Sequence, residues 1–169
     1  MKIIACGTPN RGDDEAGLLI ASLLQLRGIP VTTYSSDGLG LLQVLPSSGT
    51  VLLIDAVQSG RPPGAVIVCD ALKAPVPIEP HTASSHGFGV AHAIELARTL
   101  GSLPETLIVI GIEGRCFAVS APMSPEVRTA SERVAAQIVA SWPGLPEPML
   151  RLSTRSISDS IKLETEPPS

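Results

Sequence analysis

The sequence predicts a three-layer α/β/α domain built on a twisted, mostly parallel five-stranded sheet with one antiparallel strand. Five short apolar runs alternate with helical patterns, as in domains whose strands are joined by helical crossovers. Only 2% of the residues are aromatic, so the core must consist of aliphatic side chains, which suit strands covered on both faces. With 169 residues, of which 44% are hydrophobic, the chain is long enough to bury one full core.

Two of the five predicted strands are expected to lie at the centre of the sheet. The runs at 50–55 and 106–112 are apolar nearly throughout, which is typical of strands with helices on both sides. The other three predicted strands cover 2–6, 30–34 and 64–69.

Four helical segments separate or follow these strands. Asp13, Asp14 and Glu15 open the first one, where acidic side chains complement the helix dipole. The last begins at Ser124 with Pro125 at its first helical position, a common arrangement at helix starts. The predicted segments are about 13–27, 39–45, 87–100 and a helix from 124 onwards.

The connection between the third and fourth predicted strands sets the expected topology. It spans only about eight residues and contains Gly60, Pro62, Pro63 and Gly64. A parallel crossover needs a dozen residues or more, so these two strands are predicted to pair antiparallel. The other connections contain helices and suit parallel crossovers.

The composition changes after Trp142, which divides the chain into a predicted domain, 1–142, and a C-terminal segment. Several prolines with many Ser and Thr residues offer little to bury, so 143–169 is predicted to be a mobile tail.

Charge, hydropathy and cysteine content exclude several functional classes. The net charge is −4 and no Lys/Arg cluster is present, so a nucleic-acid surface has no electrostatic support. No signal-peptide pattern and no apolar stretch approaching ~20 residues occurs. Cys6, Cys69 and Cys116 match neither a disulfide framework nor a zinc motif and indicate a reducing compartment. The sequence therefore predicts a cytoplasmic protein, without nucleic-acid or membrane partners, that acts as a monomer.

Candidate functional residues fall in three loops of the predicted sheet. Open α/β sheets bind ligands beyond the carboxyl ends of their strands. The glycine-bounded loop 7–17 carries Asp13 and Asp14, although an acidic pair there can also serve only to cap a helix. Asp55 directly follows four apolar strand residues, where an acid is costly unless it is paired or binds something. His86 stands at the predicted start of the third helix, with glycines after it.

Two carboxylates and one imidazole from three loops form a ligand set for a divalent metal ion. Such a set leaves coordination positions open for water or substrate. Other chemistries lack their motifs: the sequence has no G-x-S-x-G elbow, no dinucleotide or phosphate-binding glycine loop, and no cysteine with an obvious histidine partner.

Several short motifs occur together in a fixed order over roughly residues 1–140. They are G-x-x-x-R-G-D-D at 7–14, Ser36-Asp37-Gly38, L-L-I-D-A at 52–56, S-H-G-F-G at 85–89, I-V-I-G-I-E at 108–113, and Met123-Ser124-Pro125. As an ordered set they resemble the hydrogenase-maturation endopeptidases, which process the large subunit of nickel–iron hydrogenases.

The resemblance implies a specific activity and site. Members of this family recognise nickel already inserted in the precursor of the large subunit and remove a short C-terminal extension. The nickel is thus expected to arrive with the substrate. The family's metal-contacting residues carry over to Asp14, Asp55 and His86, and the first of these is Glu in some members. By this spacing Asp14, and not Asp13, is the implied ligand.

Two other functions are alternatives to an endopeptidase. A phospho-acceptor receiver domain needs its acidic pair directly after strand 1 and a Lys after strand 5, whereas Asp13 lies six residues beyond Gly7 and Glu113 follows Ile112. A non-catalytic nickel-binding chaperone could use the same three ligands, and the sequence leaves this alternative open.

Overall fold

The computed structural model describes residues 1–35, 38–76 and 89–145. All five predicted strands and all four predicted helices are present, with shifts of a few residues at their ends. The first predicted helix is divided, because its acidic start forms a separate 3₁₀ turn. In chain order the elements are β1 (Lys2–Cys6), the 3₁₀ turn (Gly12–Glu15), α1 (Ala16–Gln25), β2 (Thr32–Tyr34), α2 (Gly38–Val44), β3 (Thr50–Val57), β4 (Val66–Asp70), α3 (Val90–Thr99), β5 (Thr106–Glu113) and α4 (Pro125–Ser141).

The described residues form a five-stranded sheet in the order β2-β1-β3-β5-β4. All neighbours are parallel except β4, which runs antiparallel to β5. One face of the sheet packs against α1 and α4, and the other against α2 and α3. The predicted α/β/α fold class, with one antiparallel strand, is confirmed.

Two expectations about β4 were wrong: it does not pair with β3, and its helical link to β5 is not a parallel crossover. β4 has the predicted direction, but it pairs with β5, which lies between β3 and β4. β5 is buried from its second residue onwards, so it is most stable with a strand on each side. The link 58–65 therefore crosses the end of β5, where Gly64 N donates to Glu113 O at 2.8 Å and Glu113 N donates to Ala65 O at 2.8 Å. Eight residues easily span two strand spacings of about 4.8 Å each.

The two faces of β3 show how the sheet divides the core. Leu52 and Ile54 lie in the cluster with α1 and α4, whereas Val51 and Leu53 lie in the cluster with α2 and α3. All four are fully buried. Because successive strand residues alternate between faces, Asp55 continues the row of Val51 and Leu53.

The packed core extends slightly past the predicted domain boundary. Trp142 and Leu145 both contact the cluster between α1 and α4. The rest of the predicted tail, 146–169, lies outside the described residues. In the described part of the chain, no helix has the length and apolar character that crossing a bilayer requires.

Candidate active site

The topology creates a crevice between β1 and β3. The chain leaves β1 through α1 on one face towards β2, while from β3 it continues towards β4 and β5, with α3 on the opposite face. This is a topological switch point, where the connections on either side diverge and open a cleft at the carboxyl ends of the strands. The loop after β1 and the end of β3 both lie at this cleft.

The loop after β1 folds tightly enough to bring Asp14 back over the end of that strand. Gly7 has φ +154°, and a Cβ built there would lie 2.3 Å from Asp14 O. A Cβ at Gly17, in the first turn of α1, would lie 2.1 Å from Cys6 O. The Asp14 Oδ2 accepts a hydrogen bond from Thr8 N at 3.1 Å. Only glycine permits these two backbone approaches, which place the Asp14 carboxylate at the cleft.

Asp55 is a partly buried acid in the same cleft. Its Oδ1 accepts a hydrogen bond from Ala56 N at 2.9 Å. Burial, and next the negative charge of Asp14, raise the pKa of Asp55 to about 7, against the smaller opposing effect of the Ala56 N–H. The two carboxylates are therefore close enough for the negative charge of Asp14 to act on Asp55.

Cys6 ends β1 beside this pair. β1 and β3 pair with Ala5 opposite Ile54, so Cys6 and Asp55 follow at the same level. Burial, followed by the charges of Asp55 and Asp14, raises the pKa of the Cys6 thiol. Cys6 is thus a neutral, buried thiol at physiological pH and is unsuited to act as a nucleophile.

The third predicted ligand, His86, lies outside the described residues. Within residues 1–35, 38–76 and 89–145, no group of three His, Cys, Asp or Glu side chains could hold a metal ion. The structure thus brings Asp14 and Asp55 together, and a complete ligand set of two oxygens and one nitrogen would need a further residue such as His86.

Asp13 has a different environment from that of its neighbour Asp14. Its side chain is fully buried and accepts hydrogen bonds from Arg115 N, Cys116 N, Ser124 N and Ser124 Oγ at 2.6–2.9 Å. Burial alone would raise the pKa of Asp13, but these four bonds outweigh it and lower the pKa. Asp13 is therefore fully occupied within the fold, which supports Asp14 as the ligand of the acidic pair.

Glu113 is a second buried carboxylate, for which the sequence predicted no role in the fold. It is 1% exposed and accepts hydrogen bonds from Ser59 N, Ser59 Oγ and Gly60 N. Its sequence signal is the same as that of Asp55, an acid directly after an apolar strand. Its donors show that it holds the loop between β3 and β4 in place.

Fold and site together define an α/β protein with a pair of repelling carboxylates at a switch point. Such a pair can bind a divalent cation or assist hydrolysis. Several solved structures have a similar fold. One, an endopeptidase from Escherichia coli, matches with a TM-score of 0.68 at 20% identity, covering 83% of this chain and 91% of that one. The hydrogenase maturating endopeptidase HybD from E. coli matches over the same shares of both chains with a TM-score of 0.65 at 20% identity. The [NiFe] hydrogenase maturation protease HycI from Thermococcus kodakarensis has a TM-score of 0.57 at 21% identity, covering 82% of this chain and 88% of that one.

Sequence comparison identifies the family. The model of the hydrogenase maturation protease family matches residues 36–141, and the chain belongs to that family. It is also 25% identical over 158 residues to the hydrogenase expression/formation protein HoxM of Cupriavidus necator, covering 86% of this chain and 78% of that protein. The predicted resemblance is confirmed, and with it an endopeptidase that processes the hydrogenase large subunit. The matched range contains Asp55 and His86, whereas Asp14 precedes it.

Proposed function

We propose that this endopeptidase recognises nickel already inserted in the hydrogenase large-subunit precursor and then removes the precursor's C-terminal extension. Asp14, Asp55 and His86 are the residues that contact the metal. The observation that carries this proposal is the shared cleft of Asp14 and Asp55, in which the negative charge of Asp14 contributes to the raised pKa of Asp55.

A cation supplied by the substrate would relieve this repulsion. Among the described residues, Asp14 accepts a hydrogen bond from Thr8 N and Asp55 accepts one from Ala56 N, so oxygen lone pairs remain on both acids. Asp13 and Glu113, which have similar sequence contexts, are satisfied by hydrogen bonds within the fold. Two incompletely paired carboxylates with an imidazole suit a borderline ion such as nickel.

Metal contact would serve both recognition and catalysis. Binding the precursor's nickel holds the scissile peptide at a defined place beside the carboxylates. The entropic cost of bringing the reacting groups together is then met by binding and not during the reaction. Nickel in this position supplies a Lewis acid for the peptide carbonyl or for a water molecule. The chain contributes the two aspartates, which makes it an aspartyl-type endopeptidase without a resident metal.

The same proposal places the enzyme in the cytoplasm as a single chain. All three cysteines are free, as expected in a reducing compartment. Among the described residues, six large apolar side chains are exposed, and they belong to different segments of the chain. They are Met1, Leu26, Leu39, Leu72, Leu100 and Val119.

The test is incubation with nickel-loaded and nickel-free large-subunit precursor, followed by mass measurement of the product. We expect the wild-type enzyme to shorten only the nickel-loaded form, and Asp14→Ala, Asp55→Ala and His86→Ala to leave it intact. Asp70→Ala is the matched control, because Asp70 lies at the other end of the sheet in an ion pair with Lys73.

Three outcomes would contradict the proposal. Cleavage of both precursor forms would remove the metal-recognition step. Retained cleavage by Asp55→Ala or His86→Ala would remove the site assignment. Capture of the nickel-loaded precursor without any shortening would establish the non-catalytic chaperone instead.

A further inference from the structure

Asp13, the neighbour of Asp14, attaches the 3₁₀ turn to the loop after β5 and to the start of α4. The Asp13 Oδ2 accepts hydrogen bonds from Arg115 N at 2.8 Å, Cys116 N at 2.9 Å and Ser124 Oγ at 2.8 Å, and its Oδ1 accepts one from Ser124 N at 2.6 Å. These donors belong to the loop after β5 and to the residue that starts α4. One buried side chain thus joins the turn to two segments through Arg115 and Ser124, which lie 102 and 111 residues further along the chain.

The backbones of the 3₁₀ turn and of the loop after β5 are also in direct contact. Asp13 N donates to Cys116 O at 2.8 Å. A Cβ built at Gly12, which has φ +58°, would lie 2.4 Å from Cys116 O, and a Cβ at Gly114 would lie 2.9 Å from the Asp13 Cβ. Any larger residue at either glycine would push the turn away from the loop. The 3₁₀ turn therefore has little room to shift while these contacts persist.

Ser124 uses its side chain to bind Asp13 and not to cap its own helix. A serine directly before a helix, with proline at the first helical position, normally caps that helix with its own hydroxyl. Here Ser124 makes no such side-chain cap, and its hydroxyl donates to Asp13 instead. The start of α4 and the 3₁₀ turn consequently share one set of hydrogen bonds.

We propose that Asp13 is a positioning residue for the proteolytic reaction: its buried hydrogen bonds hold the 3₁₀ turn so that the adjacent Asp14 carboxylate stays at the cleft beside Asp55. This inference rests on the proposed function, in which Asp14 contacts the precursor's metal. Asn at position 13 keeps the size of the side chain but turns one accepting oxygen into a donor. At least one of the present N–H or O–H donors then faces another donor, and the turn must move.

The experiment measures single-turnover cleavage of nickel-loaded precursor at saturating concentration and at a temperature where every variant is folded by circular dichroism. Asp13→Asn is compared with Ile138→Ala, a fully buried position near the far end of α4 that destabilises the fold without contacting the turn. Misplacing a catalytic group by about 1 Å can cost about 100-fold in rate, so we expect Asp13→Asn to lower the maximal rate by about 10-fold or more. Ile138→Ala should stay within about twofold of wild type, because its folded molecules keep an intact site.

A further variant covers the case in which Asp13→Asn does not fold. Ser124→Ala removes one donor from Asp13 and leaves its charge unchanged, and a reduction of a few-fold in the maximal rate is expected. A rate equal to that of Ile138→Ala, for whichever of Asp13→Asn and Ser124→Ala folds, would overturn the inference.

Asp14→Asn in the same series distinguishes a failure of the site assignment from a failure of the positioning role of Asp13. If Asp14→Asn cleaves like wild type, the site assignment fails, and the role given to Asp13 fails with it. If Asp14→Asn is inactive while Asp13→Asn matches Ile138→Ala, only the positioning role of Asp13 is wrong.

Discussion

Replacing Asp55 by Asn should stabilise the folded protein at neutral and alkaline pH while it abolishes processing of the precursor. Burial and the neighbouring charge of Asp14 raise the pKa of Asp55 from 3.8 to about 7. The folded state therefore holds a proton on Asp55 that the unfolded state releases. Asn has nearly the same shape and is neutral at every pH, so the variant avoids the cost of charging this side chain in the cleft.

The size and the pH window of the effect follow from the pKa shift. Below about pH 4, Asp55 is protonated in both states, and the wild-type protein loses nothing at this position. As the pH rises towards 7 the unfolded state binds fewer protons than the folded state, so the wild-type free energy of unfolding falls; above about 7 the loss is complete. A shift of about three units corresponds to about 4 kcal/mol, and since solvent still reaches Asp55, we expect about half of that, ~2 kcal/mol.

Urea unfolding of wild type and Asp55→Asn at about pH 4, 6 and 8 measures this difference. The two proteins should have similar free energies of unfolding near pH 4, and the variant should be ~2 kcal/mol more stable at pH 8, or roughly 4–8 °C in Tm for a chain of this size. Asp14→Asn is the control, because it removes the second cause of the shift; it should reduce the pH dependence of stability without abolishing it, since the burial of Asp55 remains. Equal pH dependence in wild type and Asp55→Asn, or a less stable variant at pH 8, would refute the reasoning.

Three further predictions concern Asp55, Glu113 and Gly17. First, kcat/KM for nickel-loaded precursor should rise with pH through about 7, because metal contact requires the Asp55 carboxylate and this quantity reports the free enzyme; a flat profile between about pH 6 and 8 would contradict it. Second, Glu113→Gln should lower the free energy of unfolding by about 1–3 kcal/mol, since its amide would oppose the N–H donors it now satisfies, and denaturant titration should show a clear loss of stability. Third, Gly17→Ala should destabilise the fold by about 1–3 kcal/mol or more in thermal unfolding, because its Cβ would meet Cys6 O at 2.1 Å. Ser22→Ala, at an exposed position of the same helix, is the matched control and should be near neutral.

The topology shows what a local pattern can and cannot predict. The short link 58–65 correctly predicted that β4 runs antiparallel, because loop length limits the direction in which a strand can return. It did not predict the neighbour of β4, since a loop of that length reaches either the next position in the sheet or the one beyond it. The continuous apolar run of β5 had already indicated a central strand, and burial on both faces is what placed it between β3 and β4.

The acidic residues also show what a local sequence pattern can and cannot predict. Asp55 and Glu113 have the same local sequence, an acid after an apolar strand, but Glu113 accepts hydrogen bonds from Ser59 and Gly60 whereas Asp55 faces Asp14. Asp13 and Asp14 are adjacent, and the sequence alone left open which of them only supports the fold. The donors to Asp13 come from residues more than a hundred positions away, and no local pattern contains them.

By itself the sequence determined the α/β/α class, the extent of nearly every strand and helix, and the family to which the chain belongs. These properties depend on the periodicity of apolar residues and on short ordered motifs, which are local. Only the tertiary structure decided which strand lies beside β4, which acids are satisfied within the fold, and which two share a cleft. Those properties depend on which distant backbone N–H groups and charges come together, and folding brings them together through packing of the whole sheet.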